Sequence, residues 1–551
     1  MPRIVFCALC LAAAALAGDA VSASASMPWN GPGCYPPVIV DLQPETDGVV
    51  RIQATGNNDQ SAAMAVTVQA RRRQRVTLPR PNSSWTVELT ITDQAGRVQS
   101  IPVRSKSVRE QDLLIVDPDE SASLKDLRTA IAPALAGVGL PDDRYRSSKG
   151  YPEERIDRIA ADQLPDRWQC YPWWLTIGLT RSGEQQLDAG QRQALATWTR
   201  TGGALIVEDE SQAAAWRAQG AKVTVGFAGA AALIKPRLAD GVDDAPPVPG
   251  TDRVPVLGFV TVALVFAILV GPVNLWWVRR RGKRHLFLIT TPVISAITCI
   301  ALVLVSVLAD GLGIRRTVVQ AVQLDMQGRQ AVAWTAVSYF AALPTSTIPL
   351  DPEDRIEVSG SDDQDGWRRR ERTAQALTLT WGDAQIATGG WLPARINRSL
   401  RYVQARPENR RLLVEADGSG WRVTNGLGVG IALLAWKDGD GGLWTCAHLA
   451  DGATASMEKQ PGFALNGTGL ITGIIEPGQP LPATRLDRLG PVGQQRPWEV
   501  FTTSRHGFQA VLDAPLLPVP GPPGTEIEPV RAWVFGDLPP AAPQTTNPQA
   551  R

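Results

Sequence analysis

Apolar and polar positions fall into three successive patterns along this chain. From Val38 to Val103 they alternate in short runs (VIVDLQ, VVRIQAT, MAVTVQA, WTVELTITD, VQSIPVR) separated by Asp-Gly, Asn-Asn and Ala-Gly turn signals. Period two with such punctuation predicts a small antiparallel β-sandwich over 26–108. From Asp112 the period changes: LLIVD is a continuous apolar strand, Leu124 to Leu135 reads as a helix, and WWLTIGL is a second buried strand. Asp188 to Thr201 is then an amphipathic helix, closed by Gly202-Gly203 before the strand ALIVE. Strands alternating with helices predict a parallel sheet covered on both faces, an α/β domain over 109–240. Beyond Val318 the runs VVQAVQLDM, AVAWTAVSYF, LTLTW, RLLVEA, GWRVTN, GIALLAW and WTCAHL predict one or two further sandwiches over 310–520. The Pro-rich end, 521–551, predicts a partly unstructured tail.

Between these regions lie two stretches without a charged residue, Val254 to Val278 and Leu286 to Ala309, each meeting the length of a spanning helix. The loop 279–285 between them carries Arg279, Arg280, Arg281, Lys283 and Arg284 beside Trp276 and Trp277, which predicts a cytoplasmic turn with interfacial anchors. At the N-terminus, Arg3 followed by an apolar Ile4 to Ala17, with Ala15-Leu16-Ala17 or Val21-Ser22-Ala23 as the cleavage site, predicts an export signal over 1–25. Together they predict a two-pass protein of the bacterial cytoplasmic (inner) membrane with both large domains outside. The linker GVDDAPPVPG, within 241–253, reads as extended and mobile. Inside the first helix Gly271-Pro272 predicts a kink, and Asn274 a hydrogen bond across the hairpin, so these three residues read as a packing device.

Charge and composition narrow the chemistry. The 551 residues have room for about three domains. Lys plus Arg number 55 against 54 Asp plus Glu, so no global field recruits nucleic acid. No histidine precedes His285, and Cys170 in RWQCYPWW lacks a Gly-x-Cys-x-Gly turn. A Cys-His or Ser-His catalytic constellation and a His-ligated metal site are thereby excluded from the first ectodomain. No catalytic residue, metal or cofactor is expected. Cys34 and Cys170 are the natural disulfide pair, since both lie in that ectodomain. Parallel sheets bind ligands beyond the carboxyl ends of their strands. Asp117, Asp119 and Glu120 follow one strand there, and Glu208, Asp209 and Glu210 another. They read either as an acidic pocket for a cation or polyamine-like ligand, or as two charge-rich solvated loops.

The segment GPVNLWWVRRRGKRHLFLITTPVISA resembles the hairpin of a widespread group of uncharacterised bacterial envelope proteins. Upstream, LTRSGEQQLDAGQRQALATWTRTGGALIVED is similar to the part of that group resembling class I glutamine amidotransferases; downstream, GWLPARINRSLRYV and VTNGLGVGIALLAW resemble its β-rich C-terminal part. The resemblance implies a multidomain α+β membrane protein that keeps the amidotransferase-like fold without its catalysis. The function expected is a non-catalytic, membrane-anchored envelope protein that organises protein partners. The alternatives are a ligand or glycan sensor at the acidic strand ends, and a carboxylate-dependent hydrolase of envelope glycans.

Overall fold

A computed structural model describes residues 21–29, 34–56, 61–80, 85–105, 113–117, 156–172, 175–226, 245–249, 251, 256–282, 287–310, 313–358, 377–418, 420–460, 506–522 and 524–540. The chain is rich in β-structure, with five sheets and few helices among these residues.

The alternating N-terminal runs form strands, as their period predicts. In Gly48–Gly56, Val50, Ile52 and Ala54 point into a core while Val49 and Arg51 face outward. That strand lies in a seven-stranded sheet ordered Thr345–Leu350, Gln385–Leu392, Leu377–Trp381, Ser61–Val68, Gly48–Gly56, Thr86–Thr92, Val98–Arg104. Three of its strands come from beyond the apolar helices, so the sandwich is not confined to 26–108. The seam is a parallel pairing of Thr378 with Ser61 through Trp381 with Met64. Its physical reason is the first half of Ser61–Val68, where four successive residues are buried; without a partner this edge would expose both apolar surface and unpaired backbone.

Facing this sheet are three antiparallel strands, Val21–Ser26, Pro37–Pro44 and Gln74–Pro79. Val21–Ser26 overlaps the end of the predicted export signal and contains one of the two predicted cleavage sites. The rest of that signal, 1–20, lies outside the described residues.

The largest sheet has nine strands, with Ile314–Asp325 between Gln330–Ala341 and Glu526–Asp537. The last of these falls in the segment predicted to be a tail, yet it sits in the middle of the sheet. Proline density concealed a run in which Ala532, Val534 and Phe535 are fully buried. Pro529 is tolerated because the register shifts there, from Arg316 opposite Ile527 to Val318 opposite Val530.

The α/β region contains a five-stranded sheet, ordered Val223–Val225, Ala204–Val207, Thr176–Leu179, Leu113–Val116, Ile156–Ile159, and parallel throughout. In chain order this is 2-1-3-4-5, a doubly wound arrangement. Its three central strands are buried at every position, as continuous apolar runs require. The helix Ala189–Arg200 starts at a reciprocal cap between Asp188 and Gln191. Gly203 ends the turn after it because a Cβ there would lie 2.2 Å from the Trp198 ring. Trp334 and Phe535 of the nine-stranded sheet belong to the core of this domain.

One helix among the described residues is long and apolar enough to cross a membrane, Val260–Arg280, 21 residues with little of it buried. The second apolar stretch is helical over Phe287–Asp310. The described part of the linker before them, 245–249, is strapped down rather than mobile. Ala245 and Val248 are buried, the Val248 N–H donates to Asn397 Oδ1 (3.3 Å), and Arg315 donates to the Pro249 carbonyl (3.2 Å). Its prolines remove backbone donors and stay exposed, while the Pro249 carbonyl and the Val248 side chain make the attachment.

Candidate functional site

A doubly wound sheet offers a ligand crevice where its strand order reverses. Here that point lies between Leu113–Val116 and Thr176–Leu179, beyond their carboxyl ends. At this point the chain's own backbone packs closely against the end of the Leu113–Val116 strand. Thr180 leaves the strand and caps the five-residue helix Arg181–Gln185: its hydroxyl accepts from the Gly183 N–H (3.1 Å) and donates to the Val116 carbonyl (2.9 Å). Gly183 packs so closely that a Cβ would stand 2.1 Å from the Val116 oxygen.

Each of the predicted acidic residues that the structure describes has a partner. Asp117 is buried and pairs with Arg158 of the neighbouring strand at 3.3 Å. Glu208 accepts the Arg181 N–H at 3.0 Å, tying the end of Ala204–Val207 to the start of the short helix. Asp209 caps the helix Glu210–Ala218 through a reciprocal pair with Gln212 and bonds Arg181 at 2.5 Å. The Ser211 hydroxyl, the Gln212 N–H and Arg181 together hold the Asp209 carboxyl well below the usual carboxylate range. Glu210 pairs with Arg217 on the same helix. Asp119 and Glu120 lie outside the described residues. Asp-x-x-Gln ahead of an apolar helix is a capping signature, so the structural role of Asp209 was readable in the sequence. Among the described residues no three His, Cys, Asp or Glu side chains converge on one point as metal ligands would.

Cys34 and Cys170 are both buried, with free thiols near enough to influence each other. The Tyr35 N–H donates to the Gln169 carbonyl (2.8 Å), which ties together the two segments that carry the cysteines. Burial raises the Cys170 thiol well above its ordinary value, and the neighbouring Cys34 adds to the rise. Next to them Arg80 is buried, and burial lowers its guanidinium to about 10. In the apolar hairpin, Leu269–Val273, which contains Gly271 and Pro272, winds as a π-helical turn. Asn274 follows, buried, and its amide donates to the Thr291 hydroxyl of the second helix at 3.3 Å. That bond is the cross-hairpin contact expected of it.

A network that sequence reading missed joins the halves of the chain. Asp354 is fully buried and bonds Arg406 (2.8 Å) and Gln404 (3.2 Å); burial raises its carboxyl above the ordinary value despite Arg406. Beside it, the Tyr35 hydroxyl accepts from the Ile356 N–H (2.6 Å) and the Gln385 amide (2.9 Å). Tyr35 is separated from these partners by more than 300 residues, so no local pattern announces them.

No protein family and no curated relative matches the chain in sequence. Among solved structures it is similar to the yeast delta-COP-I mu-homology domain complexed with a Dsl1 peptide, with 9% identity and a TM-score of 0.18, covering 41% of this chain and 96% of that one. It is also similar to a carbohydrate acetylesterase from Xanthomonas citri, with 9% identity and a TM-score of 0.19, covering 67% of this chain and 92% of that one. Scores this low define neither a shared fold nor a function.

Proposed function

We propose that the chain is a two-pass protein of the bacterial inner membrane whose sheets, before and after the hairpin, form one extracytoplasmic body that binds envelope partners without catalysis. The observation that carries this reading is the shared core. Val38, Ile52 and Leu78 precede the apolar helices, and Val318, Leu379 and Leu400 follow them, in a single buried cluster. Residues that pack together lie on one side of a bilayer, so the chain between them crosses an even number of times. With Val260–Arg280 as one crossing, Phe287–Asp310 supplies the return. The basic loop between them selects the cytoplasm for the turn. An export signal ending at Ala17 agrees, since it leaves Val21–Ser26 intact.

The binding role is favoured over the sensor and hydrolase readings by the switch point, where every described acidic residue already has a structural partner. The amidotransferase-like part then serves as scaffold, a common fate of large fold families. A reporter active only in the cytoplasm tests the topology: it works when fused at Gly282 and is silent at Gly250 and Gly328. Activity at either outer position overturns it. For the binding role, crosslinking in intact cells followed by affinity capture recovers a small reproducible set of envelope proteins. Turnover of an envelope glycan by the purified protein, with no partner recovered, reverses the assignment.

A further inference from the structure

Three large aliphatic side chains remain exposed at one end of the nine-stranded sheet: Leu343 at 56%, Ile396 at 53% and Ile527 at 50%. Register places them together. Ile314 starts its strand opposite Ala341, so Leu343, just past Ala341, lies at that end. Tyr339 pairs with Arg398, which brings Ile396 there as well. The parallel strand pairs Ile527 with Arg316, completing a rim across four adjacent strands. The loop before Arg398 is held in this position by Arg395, whose backbone is left-handed (φ 59°) and whose N–H donates to the Ala341 carbonyl at 2.7 Å. A non-glycine residue in that conformation is uncommon.

Both apolar helices attach at this rim. The second ends at Asp310 and the strand begins at Ile314, a span of at most about 14 Å of extended chain. The segment before the first helix is tied to the same end, with Pro249 bonded to Arg315 and the Thr251 hydroxyl accepting from the Asn397 amide at 2.7 Å. With the helices in a bilayer, whose headgroup layer is about 5–8 Å deep on each side, such tethers cannot hold the rim far from lipid. Exposed aliphatic side chains held this close to the membrane anchor are placed to contact lipid.

We infer that Leu343, Ile396 and Ile527 insert into the phospholipid headgroup layer, seating the extracytoplasmic body upright on the membrane by a contact additional to the helices. The inference rests on the membrane-anchored reading above, and its test separates the two. In the full chain with Cys7, Cys10 and Cys299 changed to Ser, single Leu343→Cys, Ile396→Cys, Ile527→Cys, Leu264→Cys and Gln327→Cys variants carry an environment-sensitive fluorophore. Each is reconstituted into phosphatidylethanolamine–phosphatidylglycerol vesicles containing headgroup- or chain-labelled nitroxide lipid. Gln327 lies in the turn at the far end of the same sheet, about 36 Å from the rim. Headgroup nitroxide removes roughly half the emission at the three rim positions, as shallow insertion requires, and leaves Gln327 unchanged; chain nitroxide quenches Leu264. Quenching at Leu264 with none at the rim overturns the docking and retains the anchor. No quenching at Leu264 overturns the anchor itself. Equal quenching at Gln327 and the rim also overturns the docking. Variants enter the comparison only if their thermal unfolding matches the unlabelled parent.

Discussion

Ser61 and Thr378 stand opposite each other in two paired parallel strands with their hydroxyls 2.9 Å apart, although both apolar helices lie between them in the chain. Packing of this kind makes the regions before and after the hairpin one folding unit.

Removing the hairpin therefore leaves the body intact. Joining Pro249 to Gly313 by a Gly/Ser linker of about six residues, which spans roughly 13 Å, suffices because Arg315 already contacts Pro249. The expected product is soluble and unfolds in one cooperative transition, whereas residues 21–249 alone do not. A cooperative transition in the isolated segment, at the temperature of the joined protein, contradicts the shared core.

Close packing at the switch point predicts intolerance at Gly183. Ala there must displace backbone, because its Cβ would fall 2.1 Å from the Val116 carbonyl oxygen. Gly183→Ala costs about 1–3 kcal/mol, as overpacking does. Urea unfolding checks it, and an unchanged midpoint means the crevice is open enough to admit a ligand.

Asp117 acts on stability and not on ligand response. Asp117 is buried and its partner Arg158 half-buried, so Asp117→Ala removes a charge-assisted bond and costs about 1.5–3 kcal/mol. In thermal scans with divalent cations or spermidine, the parent and variant show equally small shifts. A cation-induced rise present in the parent and absent in the variant restores the sensor reading.

Acid sensitivity follows from Asp209, whose carboxyl is held low by Ser211, Gln212 and Arg181. A folded value below the unfolded one, about 3.9, gives stability that is present above the unfolded value and lost as pH falls through the folded one. Asp209→Asn keeps a capping oxygen but not the charge. Its stability curve should be flatter than the parent's from about pH 5 downward. Parallel curves refute the assignment.

The neighbouring burial of Cys34 and Cys170 predicts a disulfide in protein matured outside the cytoplasm, with two electrons and two protons passing to an external disulfide oxidant. Denatured protein from the envelope shows both cysteines protected from alkylation until a reductant is added. Modification of both without reductant eliminates the bond.

Features set by neighbouring residues were legible in the sequence. Alternation gave Val50, Ile52 and Ala54 their inward face, continuous apolar runs gave the parallel strands, and Asp188 with Gln191 gave a helix start. Each depends on contacts a few residues away, which is the range over which periodicity and capping act. The linker, the C-terminal strand and the acidic ends read differently in the fold because other elements decide them. Val248 is buried by its docking onto Asn397, Pro529 is admitted by a register shift opposite Arg316, and Glu208 is occupied by a helix start that only strand order places beside it.

By itself the sequence determined the strands, the doubly wound region, the apolar helical segments and the absence of histidine before His285. Tertiary structure alone decided that Ser61 pairs with Thr378, that Tyr35 receives Ile356, and that Gly183 packs closely against Val116. The reason is physical. A strand's side-chain period is a property of its own backbone, whereas its partner is whichever distant edge best buries that face and satisfies its hydrogen bonds.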